Sequence, residues 1–124
     1  MCRGISDGFR VTTKIRRDHW GIAHAQAPDR LTAFEAQGWI AAADRIWQMD
    51  SDRLKAQGRW AEIVGHKGAK EDAFFKRLSL WATSKTDWLG LTSETKEMTE
   101  AYSRGVNRWL HEHKDQLPEE YRYH

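Results

Sequence analysis

The stretch from Gln37 to Gly65, QGWIAAADRIWQMDSDRLKAQGRWAEIVG, most constrains what this chain can fold into. Trp39, Ala42 or Ala43, Ile46, Met49 and Arg53 recur at the three-and-four spacing of one helical face. Ile40, Ala43, Trp47 and Leu54 make a second stripe beside it, so the apolar arc is broad. A helix with such an arc is packed on more than one side. Gly38 costs about 1 kcal/mol against alanine in a helix, which points to close approach of another element there. Asp44 and Arg45 sit among tryptophan, isoleucine and alanine. Spacing alone reads them as a surface pair on a core helix, and the literal string around them carries a more specific reading, given below.

Taken in order, residues 1–9 are expected to be disordered. Arg10 to Ile15 alternates and is rich in β-branched residues, the signature of a strand. Asp18 to Gly21 reads as a turn, with Gly21 able to take a positive φ. Ile22 to Ala25 returns as a short second strand, so 10–25 forms a strand or hairpin. Asp29 is an N-cap candidate for a helix over about 30–57. Gly58 breaks the run, and a short helical piece follows over about 59–64. Gly65 to Gly68 reads as a loop. A third helix over about 70–89 is traced by Phe74 or Phe75, Leu78, Trp81 or Ala82, and Trp88 or Leu89. Glu71 and Asp72 lie near its positive end. A fourth, over about 92–116, buries Met98, Tyr102, Gly105 or Val106, and Trp109, and Pro118 closes it.

A chain of 124 residues is about one domain. Its 20 basic and 18 acidic residues leave a net charge of only +2. With no basic stripe interleaved with aromatics, nucleic acid is not expected as a partner. The single cysteine, Cys2, excludes an intramolecular disulfide and a cysteine-based zinc site. No apolar run approaches the roughly 18 residues of a membrane span, and the first ten residues lack the apolar centre of a secretory signal.

Chemical candidates within the chain are weak. His111-Glu112-His113 looks like a metal cluster, but neighbours two apart on a helix face different ways, and a solvated helix end explains them. Glu35, Asp44, Asp50 and Asp52 each have a basic residue nearby, which reads as ion pairing. Ser51 has no histidine at a spacing that argues for a triad, and glycine-rich phosphate cradles are absent. His24, flanked by alanines, reads as a structural hydrogen-bonder. No catalytic, cofactor-binding or metal-ligating residue is therefore assigned to this chain.

Four blocks in order resemble the penicillin acylase (penicillin amidase) family of N-terminal-nucleophile hydrolases. The first is Ile15-Arg16-Arg17-Asp18-His19-Trp20-Gly21-Ile22-Ala23-His24, similar to that family's opening strand and turn, roughly R-D-x-W/Y-G-[VI]-P-H. Ala23 stands where the family usually has proline, which removes the fixed φ of that position. The second joins Ala43 to Met49, with Asp44, Arg45 and Gln48, to Gln57-Gly58-Arg59 and to Ala61-Glu62-Ile63-Val64-Gly65. The third, Ala101 to Asn107 with Tyr102 and Gly105, resembles an A-Y-x-x-G-[VM]-N helix. The fourth is Leu117 to Tyr121. Together they cover nearly all of the chain from Arg10 onward.

The resemblance implies an α+β fold, part of an αββα N-terminal-nucleophile hydrolase. This portion is mainly α-helical with an N-terminal strand or short hairpin. It implies an enzyme that cleaves a linear amide between an acyl group and an amine, as in β-lactams or acyl-homoserine lactones. The nucleophile in that family is a serine exposed at the start of a second chain by self-cleavage, with its own α-amino group as base. The chain then corresponds to the leading part of the first (α) segment, inactive alone. Its partners would be the remainder of the α segment and the β segment. Calcium in the complete enzyme and a periplasmic or secreted location are further implications. Within the chain, Arg16 and Arg17 are expected to pair with acids near the strand. Asp44 and Arg45 are expected to lie in the core and lock the long helix, and Trp47 and Met49 to pack there. The alternative is a non-enzymatic helical interaction module from a truncated acylase gene. A small helical nucleic-acid binder is more remote, because the charge is balanced.

Overall fold

The computed structural model describes residues 13–123. Its elements are β1 (Lys14–Arg17), β2 (Ala23–Gln26), α1 (Arg30–Ala56), α2 (Ala61–Val64), α3 (Ala69–Leu78), α4 (Leu80–Gly90) and α5 (Ser93–Glu112). Short 3-10 turns occupy Gly65–Gly68 and Glu119–Tyr123. The described chain is thus mainly helical with an N-terminal hairpin. No described helix is long and apolar enough to cross a membrane. The chain divides into two compact units, Met1–Asp44 with Ser93–Lys114, and Arg45–Thr92 with Asp115–His124.

In the first unit β1 and β2 pair antiparallel, with Lys14 opposite Gln26 and Arg17 opposite Ala23. The strand expected over Arg10 to Ile15 differs in extent. Arg10, Val11 and Thr12, like the stretch 1–9 expected to be disordered, lie outside the described residues, and the pairing continues two residues past Ile15. A three-residue loop closes the hairpin, with the Asp18 amide donating to the Ile22 carbonyl at 3.1 Å. Its third residue, Gly21, has φ +82, the left-handed position such loops require. The first part of α1 starts on Asp29, whose carboxylate accepts from the Thr32 amide at 2.9 Å and the Thr32 hydroxyl at 2.7 Å. That is an N-cap with a side-chain clasp.

The core of this unit is the crossing of α1 with α5. Ala36, Trp39, Ala42, Ala101 and Trp109 are buried there. Two glycines let the backbones touch: a Cβ on Gly38 would lie 2.0 Å from the Tyr102 carbonyl oxygen, and one on Gly105 only 1.9 Å from that of Glu35. Charged pairs flank the crossing, Arg104 and Arg108 each 3.7 Å from the Glu35 carboxylate. Arg30 pairs with Glu94 nearby. Helix α5 ends at Glu112, before the 116 expected; the Trp109 carbonyl oxygen is met at 3.0 Å by both the His113 amide and its ring Nδ1.

Helix α1 is interrupted at Arg45, where φ −151 and ψ 31 leave the helical region. In the second unit its continuation buries Ile46 and Leu54. It then stops in a Schellman turn: the Gly58 amide donates to Lys55 and the Arg59 amide to Leu54, both at 2.8 Å. Gly58, at φ +66, is the left-handed residue this turn needs. The loop expected over Gly65 to Gly68 is a single 3-10 turn. The one helix expected over 70–89 is two, α3 and α4, separated by Ser79 at φ 54. The Ser79 amide turns back to the Lys76 carbonyl at 3.1 Å. Several of the apolar residues that trace this stretch are exposed, Phe74, Leu78, Trp81 and Leu89 among them. Trp47, half-buried, meets Trp60 and stands edge-on to Tyr121 at 5.0 Å between ring centres.

Tyr121 shows what that packing does to a titratable group. Its hydroxyl lies 3.5 Å from the Ile46 carbonyl oxygen and 3.4 Å from Asp50 Oδ2. Burial, with the Asp50 charge beside it, pushes its pKa up to about 12. The raised value means that folding favours the neutral phenol. This contribution is whole below the ordinary value of 10.0 and is lost as pH rises toward about 12. Tyrosinate absorbance in native and urea-unfolded chain should show Tyr121 ionising near pH 10 only after unfolding.

Candidate functional site

The motif residues fall into two groups, one in each unit. In the first, Arg17 reaches from the end of β1 to the Gly21 carbonyl oxygen at 2.9 Å and to the Asp44 carboxylate. The hairpin loop is thereby tied to the first part of α1. Asp18 stitches the loop from within. Its Oδ1 accepts from the Trp20 and Ile22 amides at 3.0 and 2.9 Å, and its Oδ2 lies 3.0 Å from His24 Nε2. The His24 hydrogen bond, with help from the two amides, outweighs desolvation and holds the Asp18 carboxyl below its ordinary value. The Asp18 carboxylate therefore supports the loop above the ordinary carboxylate range, and that support is lost as pH falls through its lowered pKa. Trp20 projects outward, 77% exposed. Tyr102 and Gly105 supply the backbone contact at the helix crossing, and Asn107 is exposed.

In the second group Arg45 and Gln48 are exposed and Met49 is half-buried. The expected core pair of Asp44 with Arg45 is therefore corrected. Both residues are exposed, and Asp44 pairs with Arg17 instead. The physical reason is the backbone: Arg45 leaves helical φ/ψ at that point. Arg45→Ala is accordingly expected to cost no more than about 1 kcal/mol, read as a shift of the urea midpoint. Glu62 receives both Arg59 Nε and an Arg59 terminal nitrogen at 2.8 Å. That fork lowers the Glu62 pKa and raises that of Arg59. Gly65 has φ +71 and marks the change from α2 to the 3-10 turn.

Three features escaped sequence reasoning. Asp72, 7% exposed, was placed by its spacing at the start of its own helix. It lies there, in the first turn of α3, and its carboxylate also accepts the Trp60 amide at 2.7 Å and the Ala61 amide at 2.9 Å, capping α2 from eleven residues away. Glu112 is exposed at the end of α5, as expected, but it is also tied down. It accepts Trp39 Nε1 at 2.8 Å and Arg108 Nε at 2.9 Å. Partial burial works to raise the Glu112 pKa, but these bonds and the nearby charges outweigh it, so the group stays below its ordinary value. His113 stacks on Trp109 at 4.7 Å. Only the Arg108–Glu112 spacing of four was readable in advance.

The hydroxyls and carboxylates of this arrangement bond mainly to the chain's own backbone and cations. The Ser51 hydroxyl donates to the Gln48 carbonyl at 2.9 Å, Ser84 to Trp81 at 2.9 Å and Ser103 to Thr99 at 3.0 Å. Each points back along its own helix and not toward a base. Among the described residues no group of three or more histidines, cysteines and acids is placed to hold a metal ion. The carboxylates of Glu35, Asp50, Asp72 and Glu112 are engaged by cations or amides, so these residues do not fit a calcium site.

Such a scaffold has a solved counterpart. The fold is similar to that of the thermostable penicillin G acylase from Alcaligenes faecalis, with a TM-score of 0.78 at 24% identity, over 90% of this chain and 62% of that one. The described residues thus share the fold of part of that chain, mainly helical with a short antiparallel hairpin. The family model described as Penicillin amidase matches residues 12–124, and the chain belongs to that family. Penicillin acylase 2 proenzyme of Pseudomonas sp. strain SE83 is 38% identical over 83% of this chain. Acyl-homoserine lactone acylase QuiP of Pseudomonas aeruginosa is 33% identical over 90%, and penicillin G acylase of Escherichia coli 32% over 78%. The matched residues make up only 12–13% of the length of these three relatives.

Proposed function

We propose that this chain is the leading scaffold of an amide hydrolase that separates an acyl group from an amine such as a β-lactam nucleus or a homoserine lactone. The observation that carries this reading is the family match over residues 12–124. The relatives' names, penicillin acylase and acyl-homoserine lactone acylase, support the substrate class. The serine nucleophile and its α-amino base would come from a second segment of the polypeptide, and the chain's own residues would position rather than react. Arg17 and Asp18 would fix the hairpin against α1, and the Gly38–Gly105 crossing would fix α1 against α5. Calcium in the complete enzyme would draw its ligands from outside the described residues. Export to the periplasm or the medium accompanies the reading.

The test has two arms. Met1–His124 alone should not hydrolyse a chromogenic phenylacetyl amide above background. The same residues, substituted for the matching segment of the Pseudomonas sp. strain SE83 proenzyme, should support self-cleavage and turnover. Turnover by the chain alone, abolished by a single substitution within it, would overturn the scaffold role. A chimaera that folds and self-cleaves without turnover would overturn the hydrolase reading and favour a non-enzymatic module.

A further inference from the structure

The hairpin sorts its charges by face. Successive residues of a strand point to opposite sides, so Lys14 and Arg16 share one side of β1, where both are exposed. Ile15 and Arg17, on the other side, are half-buried. The register sets Gln26 opposite Lys14 and His24 opposite Arg16, which brings these two side chains to the same outer face. With Ala25, the four line a cleft of about 460 Å³.

The two cations of this face stand without an acid. Sequence leads one to expect acids beside both Arg16 and Arg17, and among the described residues only Arg17 meets one, Asp44. Asp18 is the sole acid between Lys14 and Gln26. Its carboxylate is taken up by His24 and by the Trp20 and Ile22 amides. Among the described residues neither Lys14 nor Arg16 has a carboxylate partner. Their Cα atoms stand about 6.7 Å apart along the strand, and like charges held so close repel. An anion seated between them removes that cost.

The donor types define the ligand. Arginine offers a planar fork that grips two oxygens at once, and lysine a mobile point charge. The Gln26 amide adds a neutral donor. His24 holds Nε2 on Asp18 at 3.0 Å, which fixes the imidazole as a wall of the cleft. Such a set repels a metal cation and matches a group with two or three oxygens sharing a negative charge.

We propose that this outer face of the hairpin binds a small oxyanion, a carboxylate or a phosphate, with Arg16 gripping two of its oxygens and Lys14 neutralising the remaining charge. The site does not depend on the hydrolase reading. The test follows the backbone amides of Met1–His124 by proton–nitrogen correlation spectroscopy. Sodium phosphate or sodium acetate replaces sodium chloride at fixed pH and ionic strength. Saturable shifts are expected at Lys14, Arg16, His24 and Gln26, in the millimolar range that suits an exposed and screened site. Saturation at lower phosphate than acetate identifies a phosphate-type ligand, and the reverse order a carboxylate. Arg16→Gln should weaken binding by about tenfold, the worth of one charged hydrogen bond. Arg16→Lys keeps the charge without the fork and should recover only part of that loss. Lys67→Gln, which removes an exposed cation from the turn at Gly65–Gly68, should change nothing.

Shifts that do not saturate, or that spread over all basic residues alike, would mean general charge screening and would overturn the site. Equal affinity in Arg16→Gln would overturn it too. A spectrum in which β1 and β2 are unpaired also counts against it, because the site needs both strands.

Discussion

Gly105→Ala should destabilise the chain by about 3 kcal/mol, the upper end of what overpacking a close contact costs. Helix propensity argues the other way, since alanine is about 1 kcal/mol better than glycine inside a helix. Geometry decides the sign. The added Cβ would lie 1.9 Å from the Glu35 carbonyl oxygen and 2.8 Å from the Trp39 amide nitrogen. Both are backbone atoms of the facing helix, so no rotamer change can relieve the contact. The helices must separate, and the tight burial of Ala36, Trp39, Ala101 and Trp109 separates with them. Gly90→Ala is the control, because a Cβ there meets nothing within 4 Å. That variant should be neutral or gain a fraction of a kcal/mol. Urea unfolding of both variants against the parent reads the difference. Equal midpoints would mean that α1 and α5 do not touch through their glycines.

The same crossing shows how much could be read in advance. Gly38 inside an apolar helical pattern announced a close approach, because nothing else justifies its cost in a helix. Its partner, the Tyr102 carbonyl, is a backbone atom, and no side-chain pattern can name it. Turns were legible for a related reason. Gly21 and Gly58 mark positions that need positive φ, and short-range chemistry places them. Ser79 defeated that logic, being a non-glycine residue in the left-handed region, so the break between α3 and α4 left no trace in the pattern. The core position expected for Asp44 and Arg45 failed because it assumed one unbroken helix. A single residue outside helical φ/ψ turns the following side chains, and periodicity cannot register it.

The motif blocks fared differently from the chemistry they were expected to contain. Arg17, Asp18, Gly21 and His24 are close together in sequence, and the structure brings them together in one loop through short-range hydrogen bonds. Glu112 reaches Trp39 across 73 positions. Asp72 reaches the start of α2 across eleven and twelve. Long-range polar contacts of this kind obey no spacing rule, and only packing creates them. The exposed aromatics of α3 and α4 invert the case. Their spacing traced a helix without saying what it packs against, and several of these side chains are exposed.

Asp72→Ala should cost about 2–3 kcal/mol. Hydrogen bonds to a charged acceptor contribute about 1.5–3 kcal/mol, and removing the acceptor leaves its donors to be satisfied otherwise. Here the donors are the Trp60 and Ala61 amides, at 2.7 and 2.9 Å. They open a helix of four residues that has no capping side chain of its own. With so few internal bonds, α2 depends on this outside acceptor more than a long helix would. Asp72→Asn separates charge from geometry. Its amide oxygen can accept one of the two bonds, so it should recover part of the loss. Denaturant unfolding gives the magnitudes, and exchange of the Trp60 and Ala61 amides gives the location. If both amides stay protected in Asp72→Ala, water or another group is their true partner, and Asp72 is not what starts α2.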